Sequence, residues 1–159
     1  MPPKKQSLAA GNQIVASNRK ARHDYDILEV VEAGMVLKGA EVKALRVGNL
    51  AIRDAYAKVE GGEVWLHGLH INPYAYAHGF GAVDPDRSRK LLLHAEEIGK
   101  LGARAAQEAL TLVPLAVYFK DGRAKVELGL ARGRKTHDKR HAIAKRDQER
   151  EAARERRWG

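Results

Sequence analysis

His67 and His70 stand in an H-x-x-H spacing with His78 further on, the first place in this 159-residue chain to look for a metal site. On a strand, residues three apart point to opposite faces, so the two imidazoles would not share one ion, and solvated or stacking histidines are the simpler reading. Covalent catalysis finds no better footing. The serines are Ser7, Ser17 and Ser88, none in a G-x-S-x-G elbow. The absence of cysteine excludes thiolate nucleophiles, thiolate metal sites and disulfides. Gly79 and Gly81 lack the strand-to-helix setting of a dinucleotide loop, and Asp84 and Asp86 flank Pro85, where aspartate favours a turn through its own side-chain hydrogen bonds. A small hydrolase using Glu32 or His137 is disfavoured because neither sits beside a nucleophile. No catalytic residue, metal or cofactor is expected.

Binding chemistry is better represented. Arg87, Arg89 and Lys90 put three cations just before Leu91-Leu92-Leu93, and Asn18-Arg19-Lys20-Ala21-Arg22 forms a second basic cluster. Tyr25, Tyr56, Tyr74, Tyr76 and Trp65 could stack on unpaired bases, although Tyr56 and Trp65 also suit a core. The net charge of +9 is unevenly spread. Residues 1–22 hold five basic and no acidic residues, and residues 131–159 hold eleven basic against five acidic. The body between them has 13 basic and 15 acidic residues, a charge of −2. A near-neutral body with cationic ends suits a polyanion partner better than an evenly charged soluble surface would, and neither end has the apolar face that membrane binding needs. With no apolar h-region after Lys4 and Lys5 and no long apolar run, a soluble cytoplasmic protein is expected.

The elements that must carry these residues are mostly short strands. Tyr25–Lys38 reads as a strand pair around Ala33-Gly34, and Glu41–Arg46 as one or two helical turns. Asn49–Glu60 and Glu63–Ile71 form a strand pair about Gly61-Gly62. The Gly-, Pro- and His-rich run 72–86 is a loop. Ile98, Leu101 and Ala105 mark an amphipathic helix with Glu96 and Glu97 in its first turn. Thr111–Phe119 and Ala124–Leu130 flank Asp121-Gly122, a strong hairpin signal. Many strands, tight turns and one long helix predict a mainly β fold with flanking helices, an OB-type antiparallel barrel over residues 23–130. Residues 1–22 form a basic arm and 131–159 a basic tail with only Ile143 and Trp158 as large apolar groups, expected to be disordered alone and helical on a charged partner.

The segments NRKARHDYDILEVVEAGMVLKGAEVKALRVG, RSRKLLLHAEEIGKL and TLVPLAVYFKDGRAKVELGLARGRKTHDKR resemble the SsrA-binding, or small protein B, family from about Asn18 to Arg140. Each motif alone is weak; VEAG, L-x-G-x-EVK-x-LR, RKLLL and DKR in this order are jointly specific. The resemblance implies an OB-type barrel without cofactor that binds the tRNA-like domain of transfer-messenger RNA, with neither DNA nor membrane as partner. It further implies delivery of that RNA to stalled ribosomes for trans-translation, in which the incomplete peptide is tagged and the ribosome rescued.

Residue by residue, the resemblance implies RNA contacts for Asn18, Glu32 and Leu92. Arg22, Arg87, Arg89 and Lys90 would then meet phosphates, with Arg19 and Lys20 beside them. Glu32 would accept from base amino groups or a 2′-hydroxyl, and Leu92 would cover an unstacked base or belong to the core. Gly133, Lys135, His137, Asp138, Lys139 and Arg140 match the tail element that enters the 16S rRNA decoding centre and the empty mRNA channel. Arg134 replaces a usual lysine, and His137 stands where tyrosine is also common. An ordinary OB-fold ribosomal or RNA-chaperone protein is the competing reading.

Overall fold

A computed structural model describes residues 12–73 and 83–133. Nine strands and three helices follow in the order β1 (Gln13–Ser17), α1 (Arg19–Asp24), β2 (Tyr25–Met35), α2 (Gly39–Arg46), β3 (Leu50–Ala51), β4 (Tyr56–Glu60), β5 (Glu63–His67), β6 (His70–Ile71), β7 (Arg89–Leu92), α3 (Ala95–Gln107), β8 (Thr111–Lys120) and β9 (Arg123–Gly133). Every pairing is antiparallel. The main sheet runs β1-β8-β4-β5-β7-β2-β9, and β9 pairs back onto β8, which closes the barrel. Among the described residues, closure leaves the five-residue β1 as the edge strand of the main sheet.

Both two-residue turns form hairpins. Gly61 (φ 59°) and Gly62 (φ 76°) link β4 to β5, and Asp121 (φ 51°) and Gly122 (φ 77°) link β8 to β9. Positive φ at both central residues gives a turn whose twist matches that of the strands. Val64, Leu66, Leu91, Val117, Val126 and Leu128 fill the interior, and Ile98, Leu101 and Ala105 of α3 pack against the same core.

The expected strand pair at Tyr25–Lys38 is instead one eleven-residue strand. Gly34 does not turn the chain: it lies opposite Lys125 on β9 and Leu92 on β7, and a Cβ there would sit 3.4 Å from Leu92 Cβ. Glycine here permits close packing of strands rather than reversal. The run Asn49–Glu60 is likewise divided, since Leu50–Ala51 pairs with His70–Ile71 in a separate two-stranded sheet. The barrel also reaches into both expected extensions: Gln13–Ser17 pairs with β8, and β9 runs to Gly133, opposite Tyr25.

A bulge on β8 between Pro114 and Ala116 decides how the long apolar run is used. Leu112, Val117 and Phe119 face the main core, whereas Val113 and Leu115 join Ala21 and Ala131 in a second cluster under α1. The extra residue shifts the alternation, which is why eight consecutive positions are buried on two faces. Proline in so central a strand is tolerated at a bulge because no ladder donor is needed there.

Candidate nucleic-acid interface

Alternation sorts the cationic loop residues by face. On β7, Arg89 and Leu91 point inward, whereas Lys90 and Leu92 point outward, and Leu92 is 55% exposed. Leu92 lies opposite Gly34, two residues from Glu32 on the same face of β2. Across the other edge of β2, Glu32 faces Glu127 and Gly34 faces Lys125; next along, Tyr118 faces Lys125. The barrel thus brings Glu32, Lys90 and Leu92 onto one outer surface, and Arg22 of α1 reaches Glu127 at 3.5 Å.

Glu32 is held in place. The Tyr118 hydroxyl donates to its Oε2 at 2.5 Å, and Lys120 Nζ lies 3.5 Å from Oε1. Burial, then the neighbouring carboxylate of Glu32, drives the Tyr118 hydroxyl far above its usual ionisation range, so it remains a donor. The result is a fixed acceptor beside an exposed leucine. Sequence reading missed Tyr118 and Lys120; the Asp121-Gly122 turn sets the register that would have placed them.

Asn18 and Arg89 are placed differently from what their polar side chains suggest. Asn18 is buried at the start of α1: its Oδ1 accepts from the Ala21 N–H at 3.1 Å, and its Nδ2 donates to the Pro114 carbonyl at 2.9 Å and to the Ile52 carbonyl at 3.4 Å. Its amide ties α1, with exposed Arg19, Lys20 and Arg22, to the β8 bulge, and is not presented to a base edge. Arg89 is 0% exposed. It donates to Glu41 at 2.9 Å, to the Pro85 carbonyl at 2.9 Å and to the Leu69 carbonyl, so its guanidinium braces the loop and is not offered to a phosphate. Arg87 also bonds Glu41, through Nε at 3.1 Å and through Nη2. Lys90 sits at the surface beside Glu63 at 3.1 Å, and Lys20 pairs with Asp54 at 2.9 Å. Of the tail candidates, Gly133 ends β9, and Lys135, His137, Asp138, Lys139 and Arg140 lie outside the described residues.

Glu41 joins the two arginines. Burial pushes its carboxyl upward, but hydrogen bonds from Arg87, the Lys38 N–H and Arg89 outweigh that and hold it below the ordinary value. The histidines have local partners as well. His67 meets Ser88 Oγ at 2.7 Å and Glu60 at 3.2 Å with its ring 5.4 Å from that of Tyr56, and His70 lies between Asp86 (2.7 Å) and Asn72 (2.8 Å). Among the described residues no cluster suits a metal ion, and no helix is long and apolar enough to cross a membrane.

The hydrogen bond to Asp86, followed by that to Asn72, raises the His70 pKa above 6.5. Its contribution to holding the loop is therefore complete below 6.5 and is lost as pH rises through the folded value. An NMR titration should place the His70 midpoint above 6.5, and Asp86→Asn should lower it. An unchanged midpoint in that variant would remove Asp86 as the cause.

A closed antiparallel barrel with flanking helices, bearing cations, a fixed acceptor and an exposed leucine on its outer strands, belongs to the OB-type class that presents strands and loops to polynucleotides. The family model described as SmpB protein matches residues 15–157. The SsrA-binding protein of Frankia casuarinae is 54% identical over 144 residues, covering 91% of this chain and 90% of that protein. That of Acetivibrio thermocellus is 55% identical over 139 residues, covering 87% and 90%. A solved structure described as "tmRNA-SmpB: a journey to the center of the bacterial ribosome" aligns with a TM-score of 0.65 at 49% identity, covering 80% of this chain and 93% of that one. The chain belongs to the SmpB protein family.

Proposed function

We propose that this protein binds the tRNA-like domain of transfer-messenger RNA through the outer face of β2, β7 and α1. It then carries that RNA to stalled ribosomes for trans-translation, where residues after Gly133 enter the decoding centre and the empty mRNA channel. The activity is binding, in the cytoplasm, with no reaction catalysed. The observation that carries this reading is the fixed carboxylate of Glu32 beside exposed Leu92, rimmed by Lys90 and Arg22. An unstacked base could lie on Leu92 while Glu32 accepts from a base amino group or a 2′-hydroxyl, and the cations follow the phosphates. Support comes from the relatives, named SsrA-binding proteins, and from the related chain, whose structure pairs tmRNA with SmpB on the bacterial ribosome.

Salt dependence separates these roles. With about six phosphates neutralised, log K should fall against log salt with a slope near −5. Lys90→Ala and Arg22→Ala should each reduce the slope by about one. Glu32→Ala should weaken binding to the tRNA-like RNA about tenfold at an unchanged slope, because a hydrogen bond rather than a phosphate contact is lost. Tighter binding by Glu32→Ala would show that the carboxylate merely repels RNA. Equal displacement by an unrelated stem-loop would favour a general RNA chaperone.

A further inference from the structure

Between α1, the segment leading into β4 and the start of β8 lies a cleft of about 250 Å³ that has neither Glu32 nor Leu92 in its lining. Val113 lies at its base; Tyr25 and Tyr56 supply aromatic walls; Lys20, Arg53 and Asp54 supply charge. We infer that this cleft takes a single unpaired guanine nucleotide of RNA, with the base against Tyr56, its Watson–Crick edge on the Asp54 carboxylate and its phosphate beside Lys20 and Arg53. The inference rests on the RNA-binding reading above and adds a second contact to it.

Size, stacking surface and charge each narrow the ligand. The volume lies below the roughly 300–1,000 Å³ of sites for drug-sized molecules, which suits a ligand part as small as a single base. Tyr56 is 40% exposed although it sits on a barrel strand; His67 tilts against it at 5.4 Å, and Lys58 Nζ lies 5.7 Å from the ring centre. A large aromatic side chain kept in solvent and braced by its neighbours is a ready platform for stacking. Lys20 bonds Asp54 at 2.9 Å and keeps that carboxyl ionised, below its ordinary value of 3.8.

An ionised carboxylate only accepts, so it selects an edge with adjacent donors. Guanine offers N1–H and N2–H side by side. Adenine and cytosine set one amino group beside an acceptor, and uracil sets its N3–H between two carbonyls. Guanine is therefore the base that matches Asp54, and the two cations offset the repulsion between Asp54 and the incoming phosphate.

The test uses the full chain with guanosine and adenosine monophosphates as probes, followed by amide NMR shifts. Guanosine monophosphate should move Lys20, Asp54 and Tyr56 saturably, with adenosine monophosphate at least about tenfold weaker. Asp54→Asn should bring the two nucleotides within about twofold of each other. Tyr56→Ala should weaken guanosine monophosphate at least about fivefold, and Tyr56→Phe should retain binding. Equal affinity for both nucleotides, no shifts at the cleft, or full binding by Tyr56→Ala would overturn the assignment.

The same variants are then measured against the tRNA-like RNA and, separately, the small ribosomal subunit. A loss confined to one identifies the source of the guanine, whereas full affinity of Asp54→Asn for both removes the cleft from RNA recognition. If the unaltered chain bound guanosine monophosphate but not the tRNA-like RNA, the function proposed above would fall and the cleft would stand.

Discussion

Glu41→Ala should cost about 3–5 kcal/mol of folding stability, the cost of breaking a buried ion pair from one side. Its side chain is 4% exposed and ties together Arg87, Arg89 and the Lys38 N–H. Removal would leave the fully buried Arg89 guanidinium with carbonyl partners but without its counter-charge, and α2 would lose an acceptor in its first turn. Because the folded Glu41 carboxyl lies below 4.5, its contribution is complete above that value and is lost as pH falls through the folded pKa. Urea unfolding of both proteins at neutral pH reads the difference directly. A loss under about 1 kcal/mol would mean that the two arginines find other partners and that Glu41 is not the keystone of the 84–89 segment. Replacing Glu41 and Arg89 together by methionine should recover much of the deficit, since the desolvated pair disappears as a unit.

Ending the chain after Gly133 should abolish peptide tagging on stalled ribosomes while leaving affinity for the isolated tRNA-like RNA within about twofold. The proposed RNA contacts lie on β2, β7 and α1, and β9 closes the barrel at Gly133, so the cut spares every described strand. Residues 134–159, beyond β9, carry ten basic and five acidic residues with only Ile143 and Trp158 as large apolar side chains, a composition that favours a charged partner over hydrophobic docking. The partner proposed for them, an rRNA-lined channel emptied of message, carries the complementary charge. Asp138, Lys139 and Arg140 changed together to alanine should lower tagging strongly with RNA affinity retained. RNA affinity and tagging measured side by side decide the matter. Loss of RNA binding on truncation, or tagging at the intact level, would contradict this division of labour.

Local chemistry made much of the barrel readable from residues alone. Gly61-Gly62 and Asp121-Gly122 reach positive φ at two successive positions, so the two hairpins they close are dictated by the chain itself. The spacing of Ile98, Leu101 and Ala105 likewise places α3, because a 3.6-residue period has one apolar face to bury. Cationic ends and the lack of a placed nucleophile favour polyanion binding over catalysis, and the order of motifs from Asn18 to Arg140 carries the family resemblance.

What a residue faces was decided only by long-range pairing. Arg89 and Lys90 are adjacent cations in the sequence, yet strand alternation sends Arg89 to Glu41 in the interior and Lys90 to the surface. Gly34 signals a turn by type, but its place between Lys125 and Leu92 makes it part of one continuous strand. The bulge at Leu115 reverses which residues of an apolar run face the core; Pro114 beside it marks an interrupted ladder but not which side chains then turn inward. Asn18 and Glu32 depend on partners about ninety residues away, Pro114 and Tyr118, and such partners exist only once the barrel has closed.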